Sequence, residues 1–166
     1  MFLVVHAAIG ALVGNAVTSP VAAFSLGAIS HFFSDMVPHG DTLMYAKYKS
    51  GDKEKARMAF WYVGVDALAT LALLLCVFLL GDFVSVKSVA YGIIGGLLPD
   101  LLAGLFEVLR PQRRNWLHRQ LAKFHGFHMH NHNFIIHHAR HDKDIPLQWG
   151  LAMQGAVLGT LIVMIF

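Results

Sequence analysis

The sequence predicts an all-α protein: an integral membrane helical bundle of about five transmembrane helices, with its N-terminus cytoplasmic. Three observations predict it. Apolar residues make up 56% of the chain and charged residues only 14%, whereas soluble domains carry about 25% charged residues. The apolar residues gather into five segments separated by turn signals. The basic residues lie almost wholly in two polar stretches, the asymmetry that marks cytoplasmic loops.

The elements follow in order. Helix 1 is expected from about Phe2 to Val17. Thr18-Ser19-Pro20 then breaks and restarts the chain, with Ser19 as N-cap and Pro20 at the first helical position. Helix 2 runs from Pro20 to about Val37, and both early helices are short against the ~20 residues that a full span wants. A polar loop of about 38–57 follows. Helix 3 covers about Met58 to Leu80, and between Ala67 and Leu80 only Thr70 is polar, which disfavours a soluble bundle. Gly81-Asp82 marks a turn before helix 4, about Val84 to Leu105. A second polar segment, about 107–145, precedes helix 5, Pro146 to Phe166. The whole chain, 1–166, reads as one membrane-embedded domain. Cys76 is the only cysteine, so no internal disulfide is possible. The N-terminus is apolar from Phe2 and shows no basic n-region or cleavage site, so no cleaved signal peptide is expected.

Loop 38–57 carries Lys47, Lys49, Lys53, Lys55 and Arg57. Segment 107–145 carries Arg110, Arg113, Arg114, Arg119, Lys123, Arg140 and Lys143, and the opposite side holds only Lys87. Both loops lie on the side of the N-terminus, so that side is predicted to face the cytoplasm.

Five ionisable residues interrupt the apolar segments: His6, His31, Asp35, Asp66 and Asp100. The topology brings all five toward the N-terminal side, at one level. Residues four apart share a helix face. His6, Gly10 and Gly14 form one stripe; Gly27, His31 and Asp35 a second; Gly92, Gly96, Asp100 and Gly104 a third. Small residues let helices approach closely in lipid, so these stripes are expected to face one another. Charge in the bilayer costs about 2.5–3.5 kcal/mol per residue at the helix centre. Three carboxylates and two imidazoles, with no Lys or Arg at that level, call for a bound cation. A mixed His/Asp shell suits Zn²⁺ or another divalent transition metal. Just beyond helix 2, Pro38-His39-Gly40-Asp41 adds another imidazole and carboxylate. The competing readings are helix–helix hydrogen bonding and an ion path, which the apolar outer halves of the helices disfavour.

A second group of histidines crowds the later polar segment: His118, His125, His128, His130, His132, His137, His138 and His141. They read equally as a solvated loop or as a supply of further ligands. His138 and Asp142 repeat the four-residue His/Asp spacing. Trp116, Leu117, Leu121 and Phe124 alternate with Arg113, Arg114, Arg119 and Lys123, the pattern of an interfacial helix touching anionic lipid.

The stretch Ser30-His31-Phe32-Phe33-Ser34-Asp35-Met36-Val37-Pro38-His39-Gly40-Asp41 resembles the S-H-x-x-x-D-x-x-P-type motif of predicted membrane-bound, metal-dependent hydrolases of the YdjM type. His6 and Leu97-Leu98-Pro99-Asp100 look like that family's other signatures. A similar flavour occurs in the all-helical zinc phospholipase C and single-strand nuclease superfamily. The L-P-D run follows the His/Asp motif here, whereas it precedes it in the YdjM type, and the family's H-R-G-x-T-H-S motif is only echoed by His125-Gly126-Phe127-His128.

The expected function is a membrane-embedded metal-dependent hydrolase of the inner membrane, working at the cytoplasmic face. His6, His31, Asp35, Asp66, Asp100, His39 and Asp41 are the candidate metal residues, with Zn²⁺ the expected ion. Asp35, Asp66 and His39 are the candidates for catalysis, an unligated Asp taking a proton from water. The basic loops favour an anionic substrate, a phosphoester or a lipid; nucleic acid is not expected, and the sequence leaves the oligomeric state open. The alternative is a non-catalytic membrane protein whose His/Asp cluster binds metal for sensing or fixes helix packing. Reporter fusions at Lys53 and Phe166 test the topology: the first is expected inside and the second outside, and cytoplasmic signals from both refute five spans.

Overall fold

The computed structural model describes residues 1–109 and 116–166. Eight helices and no strand occur among them: α1 (Leu3–Asn15), α2 (Pro20–Asp35), α3 (Thr42–Lys49), α4 (Lys53–Leu80), α5 (Val86–Leu109), α6 (Trp116–His132), α7 (Phe134–Ala139) and α8 (Leu147–Ile165). The expected all-α class holds. Three helices, rather than about five, are long and apolar enough to cross a membrane: α4, α5 and α8.

The difference lies in α1 and α2. With 13 and 16 residues, they reach about 20 and 24 Å at ~1.5 Å per residue, short of a ~30 Å hydrocarbon core. They form a hairpin. Pro20 opens α2, and the Ser19 hydroxyl accepts a hydrogen bond from the Ala22 amide at 3.4 Å. The hairpin lies against α5. α1 also touches α4 and α8, so it has helices on most sides. It is accordingly buried nearly all round, through Val4, Val5, Ala7, Ala8 and Ala11.

Glycine sets the spacing of these helices. A Cβ on Gly10 would lie 2.5 Å from the carbonyl oxygen of Gly92, and one on Gly14 2.5 Å from that of Ser88. Gly27 is closed off by the same Gly92 carbonyl, and Gly96 abuts the carbonyl of His6. The three expected stripes therefore meet, except that Gly104 has open space beside it. Backbones this close leave no room between helices for lipid or water. The outward faces of α4 and α8 are the reverse: Leu68, Leu71, Leu75, Trp149 and Val163 are exposed, as a bilayer-facing surface requires.

The two polar loops are themselves largely helical. Loop 38–57 contains α3, and α4 begins at Lys53, five residues before the expected Met58, because Asp52 caps it by accepting from the amides of Glu54 and Lys55. Segment 107–145 contains α6 and α7. Arg110, Arg113 and Arg114 lie outside the described residues.

Replacing Gly10 by Ala is expected to destabilise the protein by ~1–3 kcal/mol through overpacking. Gly64, on the open face of α4, has nothing within 4 Å, so Gly64→Ala is expected to be neutral or stabilising by up to ~1 kcal/mol. Thermal unfolding in detergent compares the two, and equal behaviour counts against the close approach of α1 and α5.

Candidate metal centre

At one end of the bundle, the C-terminus of α2 meets the N-terminus of α1, the middle of α5 and the side of α6. The groups that converge there follow from local structure. Pro99 lies inside α5 and has no N–H for the carbonyl four residues earlier. The neighbouring carbonyl, that of Gly96, accepts from His31 Nδ1 at 2.8 Å. A carbonyl can only accept, so His31 carries its proton on Nδ1 and, when neutral, presents a bare Nε2. That nitrogen points at carboxylates: 3.3 Å from Asp35 Oδ2 and 3.8 Å from Asp100 Oδ1.

His128, on α6, completes the group. Its Nε2 lies 3.3 Å from Asp100 Oδ1 and 3.8 Å from Asp35 Oδ2. His31, Asp35 and His128 are buried, and Asp100 keeps its side chain 23% exposed. One ligand atom from each of the four lies within 4.8 Å of the others. A tetrahedral ion with bonds of about 2.0–2.2 Å spans ligand edges of about 3.3–3.6 Å, so the set fits a divalent metal. Three buried atoms of this set, His31 Nε2, Asp35 Oδ2 and His128 Nδ1, have no hydrogen-bond partner among the described residues, and the first two face each other. An unmatched buried polar atom is costly, and two aimed at each other are what a cation between them would satisfy.

A second set shares Asp35 and adds His39 and His132, again with ligand atoms within 4.8 Å of one another. His39 is held by its own loop, since its Nδ1 donates to the Val37 carbonyl at 2.6 Å. Its Nε2 lies 3.0 Å from Asp41 Oδ2, and the Nε2 of His132 is 3.3 Å from the same oxygen. Burial alone would raise the Asp41 carboxyl, but the hydrogen bond with His132 and the nearby Met1 ammonium hold it well below the usual range. Burial alone would lower His132, yet Asp41 raises it above the ordinary imidazole value. The loop is clamped from the α8 side. Asp144 accepts from the amides of Gly40 and Thr42, Gln154 donates to the His39 carbonyl at 3.4 Å, and Gly150 lets the His39 backbone lie against α8. Gly40 takes φ +82°, open to glycine and strained for other residues.

Of the residues singled out in the sequence, His31, Asp35 and Asp100 form one set, while His39 joins Asp35 in the other with Asp41 beside it. His6 belongs to the cluster without joining either set: its Nε2 is 3.0 Å from Asp35 Oδ1 and 3.7 Å from Asp100 Oδ2. It thereby orients Asp35. Asp66 stands apart. Its two oxygens accept from the amides of Leu3 and Val4 at 2.7 and 3.1 Å, serving the free N–H groups at the start of α1. The Phe2 amide donates to Gln154 at 2.7 Å. The Met1 ammonium is close by, 2.5 Å from Asp35 Oδ1 and from His39 Nε2.

Two ligand candidates, His128 and His132, were named in the sequence only within the histidine-rich group that reads equally as a loop or as further ligands, without being set apart from their neighbours. The available signal was spacing. Leu121, His128 and His132, at intervals of seven and four, form the buried stripe of α6. Asn131 fastens that stripe by donating to the Phe32 carbonyl at 2.8 Å. His130, His137, His138 and His141 are exposed; His137 rather than His138 contacts Asp142.

Compared with protein-family models, with curated proteins and with solved structures, the chain matches none. The functional reading therefore stands on the site itself.

Asp66→Ala separates capping from ligation. It is expected to cost stability, about 1–3 kcal/mol for each amide left unserved, while bound metal stays at the parent level. Loss of metal in a variant that remains folded would assign Asp66 to the ligands.

Proposed function

We propose that this chain is a membrane-embedded, metal-dependent hydrolase whose site opens toward the cytoplasmic face of the inner membrane. The observation that carries the reading is the bare Nε2 of His31 facing two carboxylate groups in a buried pocket. Lone pairs held 3.3 Å apart repel unless a cation lies between them, and among the described residues no Lys or Arg pairs with Asp35 or Asp100. His31, Asp35, Asp100 and His128 would hold the ion, and two nitrogens with two carboxylates suit Zn²⁺. A divalent ion there supplies positive charge that acidifies water and polarises a phosphoryl or carbonyl oxygen.

The chain's own groups supply the rest. His6 holds Asp35 in place. Asp100, partly exposed, stands where substrate and water enter. Asp41 has one buried oxygen without a partner among the described residues and a side chain 30% exposed, so it is an ionised carboxylate placed to accept a hydrogen bond from water or substrate at the entrance. Outside the pocket, Arg119 and Lys123 are exposed on α6. They favour an anionic substrate, a phosphoester or a lipid headgroup. The resemblance of the His31–Asp41 stretch to YdjM-type hydrolases supports the same class.

One observation favours a packing role instead: the Met1 ammonium already gives Asp35 a cationic partner. His31→Asn and Asp35→Asn decide between the two. Each variant keeps hydrogen-bonding capacity, and each removes a ligand. The hydrolase reading expects stoichiometric metal in the parent, affinity reduced by at least 10–100-fold in both variants, and hydrolysis abolished. A purely structural cluster expects no metal in the parent and equal or greater thermal stability in both variants.

A further inference from the structure

The second set, around His39, is not used by a single-ion site except for Asp41. Its histidine is held as the first one is. His39 Nδ1 donates to the Val37 carbonyl, so the neutral ring presents a bare Nε2, 3.0 Å from Asp41 Oδ2. Unlike His31 Nε2, this nitrogen has a cationic partner, the Met1 ammonium at 2.5 Å, with the Asp41 carboxylate beside it in a buried place. The His132 ring lies 4.6 Å from that of His39, with its Nε2 3.3 Å from the same Asp41 oxygen. His39 and His132 are 1% and 8% exposed. Two further buried atoms, Asp41 Oδ1 and His132 Nδ1, have no hydrogen-bond partner among the described residues.

We propose that Asp35, His39 and His132 form a second metal position, so that the centre holds two divalent ions bridged by the two oxygens of Asp35. The proposal rests on the first set being a metal site. Three features support it. Asp35 presents a different oxygen to each side: Oδ2 lies 3.3 Å from His31 Nε2, while Oδ1 lies 2.5 Å from the Met1 ammonium, which also touches His39. The second position already accommodates positive charge, since that ammonium sits between Asp35 and His39; a divalent ion there displaces it. The two histidines of α6, four residues apart, serve one position each: His128 the first and His132 the second. Helix geometry points residues i and i+4 the same way, one turn apart. α6 therefore supplies neighbouring ions from one face, and Asp35 spans the gap between them. Asp41 remains beside the second position as its neutralising carboxylate.

Full-length protein, purified in detergent and stripped with a chelator, is titrated with Zn²⁺ by equilibrium dialysis and with Mn²⁺ for electron paramagnetic resonance. The expected parent takes up two equivalents, and the Mn²⁺ form shows the spectrum of an exchange-coupled pair. His132→Asn and, independently, His39→Asn are each expected to take up one equivalent, with the spectrum of an isolated ion; using two variants guards against one that fails to fold. His128→Asn is expected to lose the other equivalent. A parent that takes up one equivalent, retained in His132→Asn and His39→Asn, overturns the second position and leaves the hydrolase reading standing. One equivalent lost in all three variants means a single ion with a larger shell, which also overturns it. Two equivalents retained in both His132→Asn and His39→Asn place the second ion elsewhere and overturn it. A parent that binds no metal overturns the hydrolase reading and the second position together.

Discussion

Asp35 has no exposed surface, and a carboxylate in such a place must be matched on every lone pair or removed. The surrounding structure is the means of matching it. One oxygen receives His6 and the Met1 ammonium. The other faces His31 and His128 without a proper hydrogen bond. The first half of the problem is solved by the start of the chain and α1, and the second half falls to α6 and to the ion proposed above. A burial of this kind is expensive enough that it persists only where the expense serves binding or chemistry.

The close helix contacts serve the same requirement. For His6 to reach Asp35 and His31 to reach the Gly96 carbonyl, the axes of α1, α2 and α5 must approach more closely than ordinary side chains permit. Gly10, Gly27, Gly92 and Gly96 meet backbone atoms where any Cβ would stand. α5 adds Pro99, which has no N–H to give the helix just before Asp100. Sequence features that look like separate signals, the glycine stripes and the L-P-D run, thus act together as the mount for two imidazoles and two carboxylates.

Much of this was legible in the sequence. The all-α membrane class followed from apolar run length, and the convergence of His6, His31, Asp35 and Asp100 followed from depth and four-residue spacing. Other parts were not legible, for physical reasons. Asp66 shares the depth of the cluster, but depth does not reveal that backbone amides of α1 will claim its oxygens. The number of full spans was overread because hydropathy reports apolar character and not whether a helix contacts lipid. α1 is apolar because it is buried in protein. His128 and His132 were hidden among neighbours of the same kind; only the period of the buried stripe distinguishes them from the exposed His130.

The shortness of α1 and α2 bears on why the site lies at one end. Helices of about 20–24 Å cannot reach through the hydrocarbon layer that α4, with 28 residues, exceeds. Wherever the hairpin stops, backbone groups are left unserved, and irregular backbone at that depth is tolerated only where protein or a polar cavity covers it. Here both ends of the problem are used. The free N–H groups of α1 take Asp66 and Gln154. The C-terminus of α2 carries the negative end of its dipole, and Asp35 and the His39 loop lie there. That potential opposes another carboxylate and favours a cation, so the end of α2 intensifies the demand that Asp35 creates. α6 then covers the recess from outside and brings two imidazoles, which are neutral ligands and add no further negative charge. A short hairpin in a deep bundle therefore explains both the position of the cluster and why positive charge is favoured there, as the Met1 ammonium beside Asp35 illustrates.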